Sequence, residues 1–337
     1  MPQTQSHEDR TRLLIVVLNY RTADLTITCL RSLERELTRL PAAEVVVTDN
    51  DSGDGSAEKI GSVIEREGMR RWANLSALPK NGGYAYGNNA PIRTALASAT
   101  PPEFVLLLNP DTELRPGAVS ALLDFMRAHP ECGIAGSRLE DSDGHAHCSA
   151  FNFPTAWSEL DRGLQLGVVT RLLANRTVQR PIPTEPCEVD WVAGASMLIR
   201  REVFERVGLI DEAYFLYFEE VDFLLRARRA GFRTFYVPAS RVIHHMGQST
   251  GVTDEKRPPR RIPTYWFDSR RRYFVKNHGL VHAALADSAF LIGHTLHRLR
   301  GVVQPKKKQP APPNLLRDYL VNGVFARGAR LDPARIA

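Results

Sequence analysis

Three times in this chain a run of large apolar residues stops abruptly on polar ones: "RLLIVVLNY" (12–20), "AEVVVTDNDSGDGS" (43–56) and "FVLLLNPDTEL" (104–114). Runs without polar alternation read as strands buried on both faces. The stretch between the first two, "LTITCLRSLERELTRL", places apolar residues at helical spacing. Strand, helix, strand implies a parallel pair joined by a right-handed crossover. In open α/β sheets ligands sit beyond the carboxyl ends of the strands. Asn19-Tyr20, Asp49-Asn50-Asp51 and Asn109-Pro110-Asp111 all fall there. Polar loops are common at that edge, so each alone says little. A carboxylate such as Asp111 is costly to bury unless something pairs with it. It is therefore a solvated turn residue or a ligand for something positive.

The alternation continues. "SAEKIGSVIEREG" reads as helix, "NLSALPKN" as a short strand and "NNAPIRTALASA" as helix. "PGAVSALLDFMRAHP" is a helix with Pro116 near its start and Pro130 at its end, and "CGIAGSRL" is a strand. Residues 141–186 read as irregular. "VDWVAGASMLIRREVFERVG" gives a strand and a helix, "FEEVDFLLRARRAG" an amphipathic helix, and "FRTFYVPASRVIHHMGQST" a last strand. After a linker at "EKRPPRRIP" come two helices, 266–279 and 280–301. In the second, Val281, Leu285, Ile292, Leu296 and Leu299 form one stripe. "QPKKKQPAPP" reads as a second linker.

At 337 residues and 43% hydrophobic, the chain suits one or two domains with a sizeable core. The formal charge of +6 is concentrated in Arg260-Arg261, Arg270-Arg271-Arg272 and Lys306-Lys307-Lys308. Phosphorylated substrates, anionic headgroups and nucleic acid would be attracted. No RNA-binding or helix-turn-helix pattern accompanies the charge, so nucleic acid is not expected. Cys29, Cys132, Cys148 and Cys187 lack paired spacing and fit reduced thiols in a cytoplasmic protein. "MPQTQSHEDRTR" is too polar for a signal peptide, and no apolar run reaches the ~18 residues of a membrane span.

Several constellations carry chemistry. Asp49 and Asp111 could hold a base, a ribose or a hard cation. Mg²⁺ binds through one or two carboxylates plus phosphates, and Asn109 is a weaker ligand than Asp. Of His244 and His245, adjacent on a strand, only one can face such a site. Glu219, Glu220 and Asp222 open a helix, where acids either complement its N-terminus or supply a general base. "KNGGYAYGNNA" lacks the ending of a P-loop and reads as a flexible loop over a ligand. His145, His147 and Cys148 suggest zinc only faintly, since no second pair completes four ligands. Asp143-Gly144 looks like a hairpin turn.

Taken as an ordered set, "VVLNYR", "VVVTDNDSGDGS", "KNGGYAYGNN", "LLLNPDTEL", the segment from "VDWVAGASM" to "FEEVDFLLRARRAGF", and "VIHHMGQST" resemble inverting family 2 glycosyltransferases, most closely the rhamnosyltransferase-like branch. The resemblance covers about residues 12–250 and continues loosely through "SRRRYFVKNHG". It implies an α/β GT-A nucleotide-diphospho-sugar transferase fold, with a mostly parallel central sheet, flanking helices and a C-terminal helical extension. The expected division is a flexible N-terminus at 1–11, a catalytic domain at 12–252, and a linker with helical extension at 253–337.

It also implies roles. Asn19 and Tyr20 would line the nucleotide pocket, and Asp49 would hold the base or ribose, with Asn50 and Ser52 shaping its loop. Asn81, Gly82 and Gly83 would close over the nucleotide. Asn109 and Asp111 match the metal-binding Asp-x-Asp position, with Asn first. His244 matches a His-x-x-Gly-x-Ser pattern that contacts metal or diphosphate. Trp191, Gly194 and Ala195 would line the donor–acceptor pocket. Glu219-Glu220 stands where relatives carry Glu-Asp, which aligns Glu220 with the catalytic base and leaves Asp222 as a competitor. The expected reaction moves a sugar from a dTDP- or UDP-sugar, dTDP-rhamnose first, with Mg²⁺ or Mn²⁺. Its acceptor would be a glycan or polyprenyl-linked hydroxyl in cell-envelope polysaccharide synthesis. The rivals are a sugar-nucleotide nucleotidyltransferase, disfavoured because "LNYRTADL" offers no glycine, and a non-catalytic nucleotide-sugar-binding module. The stripe at 281–299 would rest on the cytoplasmic face of the inner membrane, pack on the catalytic domain, or join a homo-oligomer.

Overall fold

The structure, a computed structural model, describes residues 12–38, 40, 42–245, 259–303 and 311–331. The expected flexible N-terminus at 1–11, part of the first linker, Gly247 and Ser249 of the histidine pattern, and Lys306-Lys307-Lys308 lie outside the described residues.

The apolar runs form the centre of one sheet. β1 (Leu13–Asn19) pairs in parallel with β2 (Ala43–Asp49), with Asn19 opposite Asp49. β3 (Ala73–Ala77) follows on the outside of β2, and β4 (Phe104–Leu108) lies parallel on the other side of β1. In β1, Leu13, Ile15 and Val17 enter one core while Leu14 and Val16 enter a second; in β4, Phe104, Leu106 and Leu108 alternate with Val105 and Leu107. Both faces are buried, which is why these strands carry no polar alternation. The crossover helices α1 (Ala23–Leu37) and α2 (Ser56–Arg66) cover the first face.

Beyond β4 the sheet becomes mixed. In chain order follow α3 (Gly83–Leu96, before β4), β5 (Thr112–Leu114), α4 (Ala118–Ala128), β6 (Cys132–Glu140), β7 (Ala150–Phe151), α5 (Ala156–Leu164) and α6 (Gly167–Leu172). Then come β8 (Cys187–Val189), β9 (Trp191–Val192), β10 (Ser196–Arg200), α7 (Arg201–Val207), α8 (Glu219–Arg229) and β11 (Arg233–His244). The order across the main sheet is β3-β2-β1-β4-β10-β6-β11-β5, with β8 also on β11. β10 runs antiparallel between β4 and β6, and β5 and β8 run antiparallel to β11. The remaining main-sheet strands are parallel, and β7 pairs with β9 in a small second sheet. This is the mostly parallel α/β sheet of the GT-A fold.

Two expectations change and one is met. Residues 141–186 are not simply irregular: they build α5 and α6, and Thr155 caps α5 in a reciprocal box with Ser158. The two expected C-terminal helices are present: α9 (Thr264–Val303) consists of two helical halves meeting at Gly279, whose φ of 82° is not helical. Within α9 an 18-residue window reaches a mean hydropathy of 1.2, so by length and composition alone this helix could cross a membrane. The arginine triplet, expected to attract anionic partners, is turned inward. Arg270 and Arg271 are buried; Arg270 pairs with Glu159 at 2.7 Å and with Asp287, and Arg271 donates to the Asn322 carbonyl at 2.6 Å. Buried charges persist only where paired and hydrogen-bonded; α5 supplies Glu159, α9 itself Asp287, and α10 (Leu315–Asn322), which α11 (Val324–Arg327) follows, the Asn322 carbonyl. α9 thus shares the second core through Tyr273, Phe274, Ala283 and Ala286.

Candidate active site

The ends of β1 and β2 are tied by short polar side chains. Asn19 is fully buried and donates through Nδ2 to Asp49 Oδ1 at 2.6 Å and to Ser52 Oγ at 3.2 Å. Its Oδ1 accepts from Thr26 Oγ1 at 2.8 Å, which ties the strand end to the first turn of α1. Asp49 also accepts the Ser52 hydroxyl at 2.6 Å and the Ser52 N–H at 3.0 Å. Asn50 reaches outward, donating to Asn81 Oδ1 at 2.9 Å and to the Gly83 carbonyl at 3.1 Å. Tyr20 lies under the guanidinium of Arg21, 5.1 Å from its ring centre.

The glycine-rich stretch is not the flexible loop expected of it. Gly82 caps α3, and Gly83 to Gly87 form its first turns. Gly83 has φ +86° and lies so close to Phe215 that a Cβ would come within 2.0 Å of its carbonyl oxygen. The glycines therefore serve close packing: Tyr84 N–H donates to that same Phe215 carbonyl at 2.9 Å.

Asp111 lies just before β5 and is buried, and His244 ends β11. Antiparallel pairing sets His244 opposite Thr112 and brings its Nε2 within 3.3 Å of Asp111 Oδ1. His245 turns the other way, its Nε2 2.7 Å from Glu113 Oε1. Alternation along the strand thus puts one histidine at the site and one outside it. Asn109 is fixed by its backbone: its N–H donates to the Ala195 carbonyl at 3.0 Å, and its carbonyl accepts Thr112 Oγ1 at 2.7 Å. His244 Nδ1 is buried without a hydrogen-bond partner among the described residues. A carboxylate oxygen beside an imidazole with an unused buried nitrogen fits a divalent cation shared with a diphosphate.

The acids at the start of α8 sit behind an unusual turn. Tyr217 and Phe218 both have left-handed backbone, φ 70° and 67°. That conformation costs an L-residue roughly 1–2 kcal/mol and persists where the surroundings over-determine it. Here Ser269 Oγ donates to the Leu216 carbonyl at 3.1 Å, and the Phe218 ring packs against Trp266 and Tyr273 at 5.8 and 5.6 Å. Glu219 is buried; loss of solvent and then the charge of Glu220 push its carboxyl well above the ordinary range. Burial raises Glu220 to about 7. Asp222 differs from both. It is fully buried and accepts from Lys276 Nζ at 2.8 Å, Asn277 Nδ2 at 2.8 Å, Arg226 Nε at 2.9 Å and Tyr214 OH at 3.3 Å.

Glu220 opens onto a cleft of about 820 Å³ whose walls include Tyr217, Trp191, Phe151, Trp266 and Arg162. Asp222 does not line it. Trp191 stacks on Phe151 at 4.1 Å and is locked by its Nε1–H donating to the Asn152 carbonyl at 2.9 Å. Gly194 and Ala195 stand behind this wall. The Gly194 carbonyl accepts Tyr84 OH at 2.8 Å, and a Cβ there would lie 2.8 Å from that hydroxyl. Tyr84 in turn feels the charges of Glu220 and Glu219, which with burial raise its phenol. Hydrogen bonds thus tie Asn109 to Ala195 and Tyr84 to the adjacent Gly194, so one segment holds both the Asp111 loop and the tyrosine that feels the charge of Glu220.

Sequence reasoning missed Tyr84, Tyr217, Trp266, Lys276 and Asn277. In the mostly polar "WFDSRRRYFVKNHG" nothing set the last two apart. His145, His147 and Cys148 are not gathered: His145 joins Asp141 and Asp143 on the turn, ligand atoms within 4.8 Å of one another, while Cys148 Sγ donates to the Ala150 carbonyl at 3.4 Å. Gly144, with φ +87°, makes the turn that Asp143-Gly144 suggested.

Comparison with known proteins places the chain by sequence and by fold. The chain is 33% identical over 237 residues to N-acetylglucosaminyl-diphospho-decaprenol L-rhamnosyltransferase of Mycobacterium tuberculosis, an alignment covering 65% of this chain and 73% of that protein. It is 28% identical over 211 residues to rhamnosyltransferase WbbL of Escherichia coli K12, covering 60% of this chain and 72% of that one. Among solved structures, a mannosyltransferase from Pyrobaculum calidifontis in complex with GDP-Man and Mn²⁺ superposes with a TM-score of 0.56 at 14% identity, covering 95% of this chain and 84% of that one. S. aureus TarS 1–349 with UDP gives 0.53 at 14% identity, covering 93% and 81%; at such identity both speak to the fold alone. Residues 6–260 match the model described as Glycosyltransferase like family 2, and the chain belongs to that family of glycosyltransferases.

Proposed function

We propose that this protein is a metal-dependent, inverting glycosyltransferase that moves a sugar from a nucleotide-diphosphate donor, dTDP-rhamnose first among candidates, to an acceptor hydroxyl in cell-envelope glycan synthesis. The observation that carries this reading is Glu220. It is a carboxylate raised to about 7 by burial and facing an aromatic-walled cleft. A general base works best with a pKa near the working pH.

In this reading Asp49, Asn50 and Ser52 receive the nucleoside, with Asn19 holding their loop and Tyr20 at its rim. Asn81, Gly82 and Gly83 form the neighbouring wall. Asp111 and His244, with Asn109, would hold Mg²⁺ or Mn²⁺. When bound, such an ion neutralises charge developing on a diphosphate leaving group. The acceptor enters between Trp191 and Trp266, and Glu220 takes the proton from its hydroxyl. The acceptor oxygen bonds to the anomeric carbon as the bond to the nucleoside diphosphate breaks. One displacement inverts that centre, and no protein nucleophile is needed. Glu219 stays protonated beside Glu220, and Asp222, engaged by four donors, serves as an anchor of α8 rather than as the base.

The first relative's name describes an acceptor on a diphospho-decaprenol carrier. We extend that to a lipid-linked acceptor here, with the enzyme peripheral on the cytoplasmic membrane face. Arg162 and Arg180 in the cleft lining suit an acceptor that carries phosphate near its sugar.

A thermal-shift screen of dTDP-rhamnose, UDP-sugars and GDP-mannose with and without Mn²⁺ tests the donor, because a ligand of the native state raises apparent stability by mass action. No stabilisation by any nucleotide sugar would sink the reading. Pyrophosphate release from a nucleoside triphosphate would favour a nucleotidyltransferase instead.

A further inference from the structure

The second half of α9 presents two opposed apolar faces. One is buried on α5: Ala283, Ala286 and Phe290 point inward, and Gly293 meets Gly163 so closely that a Cβ on either would come within 3 Å of the other helix's backbone. The other face is bare. Val281, Leu285, Ile292, Leu296, Leu299 and Val302 are between 49% and 82% exposed. They fall at spacings of four, seven, four, three and three residues, one side of a helix. At 1.5 Å per residue the row is about 32 Å long. Single exposed apolar residues need no explanation, but a continuous row marks an interaction surface. Neither the catalytic body nor α10 covers it.

The charge around the end of this row indicates what does. Beside Val302, between the end of α9 and the start of α10, lies a cavity of about 760 Å³ lined by His294, His297, Arg298 and Arg317. No carboxylate is among its described lining residues. Arg298 and Arg317 are exposed, and neither has an ion-pair partner among the described residues. An apolar stripe bordered by unpaired cations matches a surface of anionic lipid, with hydrocarbon under the stripe and phosphate headgroups at the arginines.

We propose that α9 lies flat on an anionic membrane, seating Leu285, Ile292 and Leu296 below the headgroups and Arg298 and Arg317 among them. It lies on the bilayer rather than across it. Its opposite face is occupied by α5, and that face carries Asp287, bonded to Arg270 and to the Val324 N–H at 2.8 Å. A spanning helix would have to strip that packing and expose a charged pair to hydrocarbon. α6 extends the arrangement. Val168 and Leu172 are 58% and 81% exposed, while Thr170 and Arg171 line the acceptor cleft. The mouth of the cleft thus opens next to apolar surface, as an acceptor anchored in lipid requires. This deepens the proposed function and rests on it only for the identity of the acceptor.

The test is co-sedimentation of the full chain with vesicles of phosphatidylcholine alone and of phosphatidylcholine mixed with phosphatidylglycerol, without donor or acceptor. We expect the wild type to pellet with the anionic vesicles and to be released by salt. Replacing Leu285, Ile292 and Leu296 together by Ser, or combining Arg298→Glu with Arg317→Glu, should weaken binding roughly ten-fold or more. All five side chains point away from the α5 contact, and an unchanged circular dichroism spectrum checks the fold. The proposal is overturned if the wild type stays in the supernatant with both vesicles, or if the triple variant binds as the wild type does. It is equally overturned if sedimentation velocity shows a dimer that the triple variant breaks while neither protein binds lipid, which would assign the stripe to a second copy. Because no sugar nucleotide is present, lipid binding without any donor-induced thermal shift would refute the transferase reading and leave the membrane surface standing.

Discussion

The proposed donor end and the acid end of the site are built in different ways. At the donor end, Asn19, Asp49 and Ser52 sit at the tips of parallel strands and hold one another with bonds of 2.6 to 3.2 Å, all within the first 52 residues. At the acid end, Glu220 follows two left-handed residues. The turn is held from outside by Ser269, Trp266 and Tyr273, while Asp222 is held by Lys276 and Asn277, some fifty residues downstream. A site made from strand tips inherits its geometry from the sheet. A site made from a strained turn needs a clamp. The part of the molecule proposed to take the proton therefore depends on a helix that begins beyond the end of the family match at residue 260.

The largest break in this contrast should come from Glu220→Gln. Turnover should fall by about 10²–10⁴-fold while donor binding, read by thermal shift, persists. If turnover survives, the base lies elsewhere. Asp111→Ala should cost about a hundredfold or more in kcat and abolish the metal dependence of donor binding; retained Mn²⁺-dependent stabilisation by donor would remove Asp111 from the metal site. Titrating the wild type should show kcat/KM falling about ten-fold per pH unit below about 7, because Glu220 acts only when ionised and burial raises it to about 7. A profile flat to pH 5 contradicts that assignment.

Lys276→Met probes the clamp itself. We expect kcat to drop about ten-fold with the donor KM unchanged, and Lys276→Arg to recover most of the loss. Equal losses in kcat and in donor affinity would mean that α9 merely stabilises the whole fold. The smallest effect is on stability. Burial and Glu220 raise the Glu219 carboxyl in the folded state above its unfolded value, so the folded state holds the extra proton and stability falls as pH rises through that interval. Glu219→Gln removes this penalty. Its melting temperature should exceed that of the wild type above neutral pH, by about 2–4 °C for each kcal/mol, and match it near pH 4.

Much of the fold was legible because the signals are local. Apolar runs at β1, β2 and β4, helical spacing in α1 and the polar residues at strand ends each lie within one element. The glycine-rich stretch misled because Gly83 answers to Phe215, over a hundred positions away, and Gly87 to Leu18, rather than to a loop of their own. The arginine triplet misled for the same reason: whether a charge faces solvent or a buried Glu159 and Asp287 is settled by helix packing.

The sequence by itself determined the buried strands β1, β2 and β4, the first crossover, the strand tips that carry Asp49 and Asp111, and the acids that open α8, since periodicity and strand termination are properties of consecutive residues. Only the tertiary structure decided that Asp222 is engaged by four donors, that Arg270 is internal and that the stripe on α9 is bare. Each of those depends on which surfaces meet, and the energy of a buried charge or an exposed apolar row is set by neighbours that lie far away along the chain.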